Sequence, residues 1–159
     1  MKRMKRYLRV CAIVIAAVAS TSALAKDLPD GGMTVEQVTA WLLDVGYQAK
    51  IVTDKSGNMT ITSASDGIEF HVGFYDCHDR QCGSIQFFAG FDTKGALNLK
   101  KINEWNTTKR WARAYVDNTN DPWIEMDVDL TPGGTYEILN DQFATWQDTL
   151  RVFKKFINS

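Results

Sequence analysis

Apolar residues recur at helical spacing in three segments of the chain. The first segment opens with a capping box, Thr34 to Gln37, in which the two residues can bond each other's backbone N–H groups. Gly46 follows the segment and favours a helix end. One face carries apolar residues at steps of three, four and three, namely Val35, Val38, Leu42 and Val45. The pattern predicts a first helix over residues 35–45.

Two further helices are predicted later in the chain. Residues 96–106 place Leu99, Ile102 and Asn106 on one side of a helix. Residues 140–157 carry a longer apolar stripe at alternating steps of three and four, made of Phe143, Trp146, Leu150, Phe153 and Ile157. This last segment has the clearest amphipathic pattern in the sequence.

Short extended segments fill the intervals between these helices. Strands are predicted over residues 48–53, 59–63, 68–75, 84–91, 110–117 and 122–130. The element order is therefore α-β-β-β-β-α-β-β-α. Because tight turns join the strands, we predict an α+β fold, an antiparallel sheet with helices packed on one face.

The segment DCHDRQC, residues 76–82, contains Cys77 and Cys82 between two of these strands. If the two cysteines face each other, every pair on one side of the hairpin is apolar, namely Phe74 with Ile85, Val72 with Phe87, Phe70 with Ala89 and Ile68 with Phe91. A one-residue slip would destroy this division, so the hydrophobic pattern supports the cysteine register. We predict a structural disulfide between Cys77 and Cys82, with His78 and Asp79 as solvated loop residues.

Two chemical interpretations compete with the disulfide. A zinc site would use the two cysteines with His78, but such sites need further thiolate or imidazole ligands. A redox pair is usually a C-x-x-C motif at a helix start, where the dipole lowers a thiol pKa. The hairpin offers neither further metal ligands nor a helix start. We therefore predict no metal site and favour the structural disulfide over a redox pair.

The same register argument applies to the last two strands. A five-residue connection would place Arg113 opposite Asp127 and Tyr115 opposite Glu125. One face of that hairpin would then be apolar and the other paired by charge. The acidic residues of the last strand are accordingly interpreted as a solvated face rather than a calcium site.

The first 25 residues have the pattern of a secretory signal peptide. The basic n-region consists of Lys2, Arg3, Lys5, Arg6 and Arg9, and the apolar run covers residues 10–19. Ala23 and Ala25 occupy the small-residue positions of a cleavage site, so we expect residues 1–25 to be removed and residues 26–159 to form one domain. The apolar run is too short for an ordinary membrane span, and no membrane insertion is expected after cleavage.

Removal of the signal changes the charge and the cysteine count. The 134 residues that remain of 159 hold 13 of the 18 Lys and Arg residues against all 19 Asp and Glu residues. An acidic domain with a net charge of −6 is a poor candidate for binding nucleic acid or anionic lipid. Three cysteines become two, which suits a single disulfide in an oxidising compartment.

The sequence contains neither a nucleophile elbow nor a phosphate-binding glycine motif, and we predict no catalytic residues and no cofactor. Aromatic and basic residues do fall on the strand face away from the helices. This predicted partner-binding outer face consists of Tyr75, Phe88, Trp111, Arg113 and Tyr115. Isolated exposed aromatics, or rings covered by a loop, are the alternative interpretation.

The chain resembles the YbjN family of small bacterial proteins, which are labelled sensory transduction regulators. The resemblance covers nearly the whole predicted domain and is carried by TAWLLDVGYQAKI, IEFHVGFYDC, CGSIQFFAGF, LNLKKINEWNTTKRWARAYVD, WIEMDVDL and the closing phenylalanine-rich helix. It implies a fold like that of type III secretion chaperones, small dimeric α+β proteins that bind extended client segments. It implies no catalytic residues.

These expectations combine into one leading hypothesis and two alternatives. The leading hypothesis is an exported, periplasmic, non-catalytic domain that binds a protein or peptide and can form a homodimer. The first alternative is a module that binds a small ligand or lipid in an aromatic pocket between the helices and the sheet. The second is an enzyme, which would need a cleft joining His71 or His78 to a perturbed carboxylate.

Overall fold

The computed structural model describes residues 25–159. The predicted signal peptide, apart from Ala25, lies outside the described residues. The elements are α1 (Val35–Asp44), β1 (Lys50–Thr53), β2 (Met59–Ser65), β3 (Ile68–His78), β4 (Gln81–Gly90), α2 (Leu99–Thr108), β5 (Arg113–Val116), β6 (Pro122–Asp129) and α3 (Tyr136–Ile157). This is the predicted order of elements, and the α+β prediction is confirmed. No helix in the described part is long and apolar enough to cross a membrane.

The six strands form one antiparallel sheet in the order β1-β2-β3-β4-β6-β5. The helices pack on one face of it, where long α3 places Trp146 on Phe87 with ring centroids 5.7 Å apart. The ring centroid of Phe70 lies 6.0 Å from that of the same indole, and all three side chains are fully buried. The core therefore lies between the helices and the inner sheet face, and no helix of residues 25–159 packs on the opposite face.

The capping box places the start of α1 as predicted. The backbone N–H of Gln37 donates to Thr34 Oγ1 at 3.2 Å, and the backbone N–H of Thr34 donates to Gln37 Oε1 at 2.8 Å. Gly46, with φ 92°, follows the last helical turn. Left-handed backbone of this kind ends a helix at little cost when the residue is glycine.

The other two helices start at capping residues that the apolar pattern alone does not reveal. The Asn98 side chain accepts from the backbone N–H of Lys101 at 3.0 Å, so α2 begins at residue 99 rather than 96. Thr135 caps α3 in the same way, and that helix starts four residues before the predicted position. Leu99 was expected on the apolar side of α2, but it is 69% exposed, whereas Ile102 one turn later is buried.

The β3–β4 register is confirmed. Cys77 pairs with Cys82, Phe74 with Ile85 and Val72 with Phe87. The strands run further than predicted, because His78 still pairs with Gln81 and the turn is only Asp79 and Arg80. Both turn residues have left-handed φ angles, 49° and 71°, as a two-residue hairpin turn with the sheet's twist requires. His78 and Asp79 are exposed, but His78 belongs to the strand rather than to the loop.

The β5–β6 register is displaced by two residues from the predicted one. Arg113 lies opposite Glu125, and Tyr115 lies opposite Trp123. The turn is shorter than expected because the Asp117 side chain accepts from the backbone N–H of Asp121 at 3.0 Å and closes it. A slip of two keeps each side chain on its face, so the division into apolar and polar faces survives.

Candidate binding face on the open side of the sheet

The helix-free face of the sheet presents side chains that alternate with core residues. Tyr75 of β3, Phe88 of β4, and Arg113 and Tyr115 of β5 all lie there. Their neighbours along the strands, such as Phe87 and Ala114, are buried against the helices. Tyr75 is 49% exposed and Tyr115 is 40% exposed, so both rings remain accessible. We call this surface the open face.

Four aromatic side chains cross the open face as a continuous strip. The ring centroids of His71 and Phe88 are 5.2 Å apart, and those of Phe88 and Trp123 are 6.2 Å apart. Trp123 in turn stacks with Tyr115 at 6.5 Å, with an angle of 11° between their planes. The aromatic strip, defined as His71, Phe88, Trp123 and Tyr115, thus passes over β3, β4, β6 and β5.

Two glycines allow rings to lie against the sheet backbone. A Cβ atom at Gly90 would lie 2.7 Å from the Trp123 ring, a distance that real contacts do not reach. A Cβ atom at Gly73 would lie 3.3 Å from the Tyr75 ring and 3.4 Å from the Phe88 ring. The absent side chains therefore leave room for flat aromatic packing.

A polar row flanks the aromatic strip. Tyr75 Oη donates to Gln86 Oε1 at 3.3 Å, and Gln86 Nε2 donates to Asp127 Oδ1 at 2.7 Å. Arg113 binds Glu125 Oε2 through Nε at 2.9 Å and Nη2 at 2.6 Å. Gln86 and Glu125 are buried, whereas the guanidinium side chain is 68% exposed. The row fixes its buried members and leaves a cation at the surface.

The charges of this row follow from those contacts. Hydrogen bonding to Glu125, with the carboxylate's charge, raises the pKa of Arg113 above its already high value. Burial, followed by a hydrogen bond to Glu125, raises the pKa of Tyr115 to about 12. Tyr115 is therefore a neutral phenol across the physiological pH range. The open face combines apolar rings with hydrogen-bonding groups and the exposed Arg113 cation, which suits binding of a peptide.

Trp111, the remaining residue of the predicted outer face, lies apart from the strip. It precedes β5 and has φ 76°, so it does not follow the strand alternation that the sequence suggested. Its ring is 60% exposed, and the Arg110 guanidinium carbon lies 4.5 Å from the ring centroid. The structure therefore groups Tyr75, Phe88, Arg113 and Tyr115, and places Trp111 beside Arg110.

Sequence reasoning missed Trp123, which is the centre of the strip. The signal was present, because Glu125 and Asp127 were assigned to the outer face and Trp123 has the same alternation in β6. The predicted cysteine register also places His71 opposite Phe88 on that face, and the structure confirms this pair. Alternation does not specify side-chain direction, so it could not show that the two rings lie in contact.

The DCHDRQC segment forms a covalent staple. Cys77 and Cys82 are joined by a disulfide, and the two residues are paired in the ladder. Met33, just before α1, exchanges backbone hydrogen bonds with Cys82 at 3.2 and 3.0 Å. Arg80 Nη2 contacts Glu36 Oε1 at 2.8 Å. The hairpin end is thus fixed to the start of α1. Within residues 25–159, no three His, Cys, Asp or Glu side chains converge as a metal site would require.

Comparison with known proteins matches the chain to a protein family. A family model described as "YbjN: Putative bacterial sensory transduction regulator" matches residues 34–158, which is most of the chain. The resemblance seen in the sequence is thereby confirmed. No curated protein and no solved structure matches the chain. The likeness to type III secretion chaperones stays a prediction.

Proposed function

We propose, because the chain belongs to the YbjN family of bacterial regulators, that it is an exported, non-catalytic regulatory domain that binds a protein or peptide on the open face. The observation that carries the proposal is the aromatic strip. Its Trp and Tyr rings are held against the sheet, so little conformational entropy remains to be lost when a partner covers them. Tyrosine, tryptophan and arginine are also the residues that most often dominate binding energy at interfaces.

Export is supported by two features of different kinds. The basic n-region, the apolar run and the alanine cleavage site together have the pattern of a signal peptide. The Cys77–Cys82 disulfide suits an oxidising compartment, which for a bacterial protein with this signal is the periplasm.

Packing of the core favours a protein partner over a small ligand between helices and sheet. The space expected for such a ligand is filled by Phe70, Phe87 and Trp146, which are fully buried and in mutual contact. The accessible rings lie on the other side of the sheet. A broad, shallow aromatic surface suits a protein segment better than an enclosed small molecule.

Site-specific photocrosslinking in cells tests this proposal. The photoreactive residue p-benzoylphenylalanine replaces Tyr115 in one strain and Val152 in another. Val152, on α3, is exposed to a similar degree, at 46% against 40% for Tyr115. We expect a discrete adduct from position 115 only, and its loss when Trp123→Ala is added. Equal adducts from both positions, or none from position 115, would contradict the proposal.

A further inference from the structure

The two edges of the sheet differ in whether helices occupy them. At the β5 edge, the Asn106 side chain of α2 accepts from the backbone N–H of Ala114 at 2.9 Å and donates to its C=O at 3.0 Å. Trp105 Nε1 donates to the C=O of Ala112 at 3.1 Å. These bonds take the backbone groups that another strand would need, so α2 closes this edge.

The β1 edge has no comparable cover among the described residues. All four residues of β1 are exposed, and the strand contains no proline. The backbone N–H of Asp54 donates to the C=O of Asn58 at 2.9 Å, directly after β1. Since antiparallel bonding alternates, Lys50 and Val52 also bond to β2, and the backbone groups of Ile51 and Thr53 point outward.

Apolar side chains collect at the same edge. Four of the large exposed hydrophobic residues lie on β1 and its immediate neighbours, with exposures of 54%, 37%, 41% and 40%; they are Leu43, Ile51, Val52 and Met59. An exposed strand edge with apolar side chains and a single charge, Lys50, is a template for pairing with another strand. Natural monomers usually protect such an edge.

We propose that β1 pairs in antiparallel orientation with β1 of a second copy of this chain, around a twofold axis at Val52. In this register Val52 faces Val52 of the second copy, and Ile51 faces Thr53. Lys50 then faces Asp54 at both ends of the pairing, as an isologous interface requires. The outward-pointing backbone groups of Ile51 and Thr53 supply the intermolecular hydrogen bonds.

Charge selects this register over its neighbours. Only the outward-pointing backbone groups of Ile51 and Thr53 can bond to the second copy. The register between the two β1 strands can therefore also place the twofold axis at Ile51 or at Thr53. With the axis at Ile51, Lys50 faces Val52, and with the axis at Thr53, Asp54 faces Val52. Only the axis at Val52 pairs opposite charges, which favours it by the cross-strand rule. Asp54 is reliably anionic, because hydrogen bonds from the Asn58 side chain and backbone lower its pKa.

The product is a continuous twelve-stranded sheet, two copies of the six-stranded one. A twofold axis perpendicular to the sheet keeps both open faces on the same side. The pairing uses the β1 edge and no residue of the aromatic strip. A test of the dimer is therefore independent of a test of the proposed peptide binding.

Light scattering after size exclusion, combined with cysteine crosslinking, tests the pairing on the full chain. We expect the wild-type protein to be a dimer. We expect Val52→Cys to form an intermolecular disulfide under mild oxidation, because position 52 faces itself. In the adjacent variant Ile51→Cys, position 51 faces Thr53, so this variant should remain uncrosslinked. The wild type should also remain uncrosslinked, which would show that Cys11 does not form the intermolecular disulfide.

The charge prediction is tested by Lys50→Glu, with Lys50→Arg as the matched control. Two Glu–Asp repulsions should raise the dimer dissociation constant at least tenfold, whereas arginine should leave it nearly unchanged. Matching far-UV circular dichroism spectra of the two variants would show that both are folded. A wild-type monomer at 0.5 mM, a dimer insensitive to Lys50→Glu, or equal crosslinking at positions 51 and 52 would each overturn the proposal.

Discussion

The Asp117 carboxylate accepts a hydrogen bond from Trp123 Nε1 at 3.1 Å, across the turn that joins β5 to β6. Its other oxygen accepts from the backbone N–H groups of Thr119 and Asp121. One side chain therefore closes the turn, sets the β5–β6 register and holds the indole at the centre of the aromatic strip. The local chemistry of the turn and the geometry of the open face have a common cause.

The Asp117 contacts predict a dependence of stability on pH. Hydrogen bonds, first from the Thr119 hydroxyl and then from Asp121 and Trp123, lower the pKa of Asp117 from 3.8 to about 2. Because the folded-state pKa is depressed, this stabilisation is complete above pH 3.8 and is lost as pH falls towards 2. Asp117→Asn should unfold at lower urea concentration at pH 6, and its midpoint should change less between pH 4 and pH 2.

Asp129→Asn is the matched control for this series, since Asp129 is an exposed residue of the same hairpin. It should retain the wild-type dependence on pH. An Asp117→Asn protein with the wild-type slope between pH 4 and pH 2 would show that the carboxylate does not stabilise the turn.

Gly90→Ala should disturb the aromatic strip. The added Cβ would lie 2.7 Å from Trp123, so the ring must move away from the sheet. Overpacking of this kind costs about 1–3 kcal/mol of unfolding free energy, measured by urea titration. Gly73→Ala is the control, because its Cβ meets rings only at 3.3 Å. At position 73, alanine loses less conformational entropy on folding than glycine does, which stabilises the fold by about 0.5–1 kcal/mol. This gain should offset the free-energy cost of the tighter contact. Equal losses at both positions would contradict this interpretation.

The β3–β4 hairpin could be predicted from sequence because two independent patterns agree. A shift of one residue there would expose Val72 and Phe87, and it would also separate Cys77 from Cys82. For the β5–β6 hairpin, alternation cannot distinguish registers two residues apart. The deciding contact was the Asp117 side chain in the turn, and the register prediction omitted it.

For the open face, too, alternation predicts some features and not others. Alternation assigns Tyr75 and Phe88 to the open face, and it could have assigned Trp123 to that face as well. It cannot show that Trp123 lies over Gly90, because that contact joins strands that are distant in sequence. It also fails for Trp111, whose left-handed backbone breaks the period of two before the strand begins.

Replacing both Cys77 and Cys82 by alanine should destabilise the domain moderately. The disulfide closes a loop of sequence separation 5, for which the chain-entropy model gives about 2 kcal/mol. Urea unfolding of the variant should match that of the wild type in excess reductant. A thiol titration that finds the same number of free thiols before and after reduction would show that the disulfide is absent.

Trp146 and Trp105 allow a comparison of two buried indoles with different hydrogen bonding. Both are almost fully buried, but Trp105 Nε1 donates to the C=O of Ala112 whereas Trp146 Nε1 has no partner in the described structure. Trp105→Phe removes the donor to the carbonyl of half-buried Ala112, and a hydrogen bond of this kind contributes about 0.5–1.5 kcal/mol. Trp146→Phe removes an unsatisfied donor while losing similar volume. We expect the Trp105 variant to be less stable than the Trp146 variant by about that amount in urea unfolding. The reverse order would mean that the Trp146 N–H has a partner in solution.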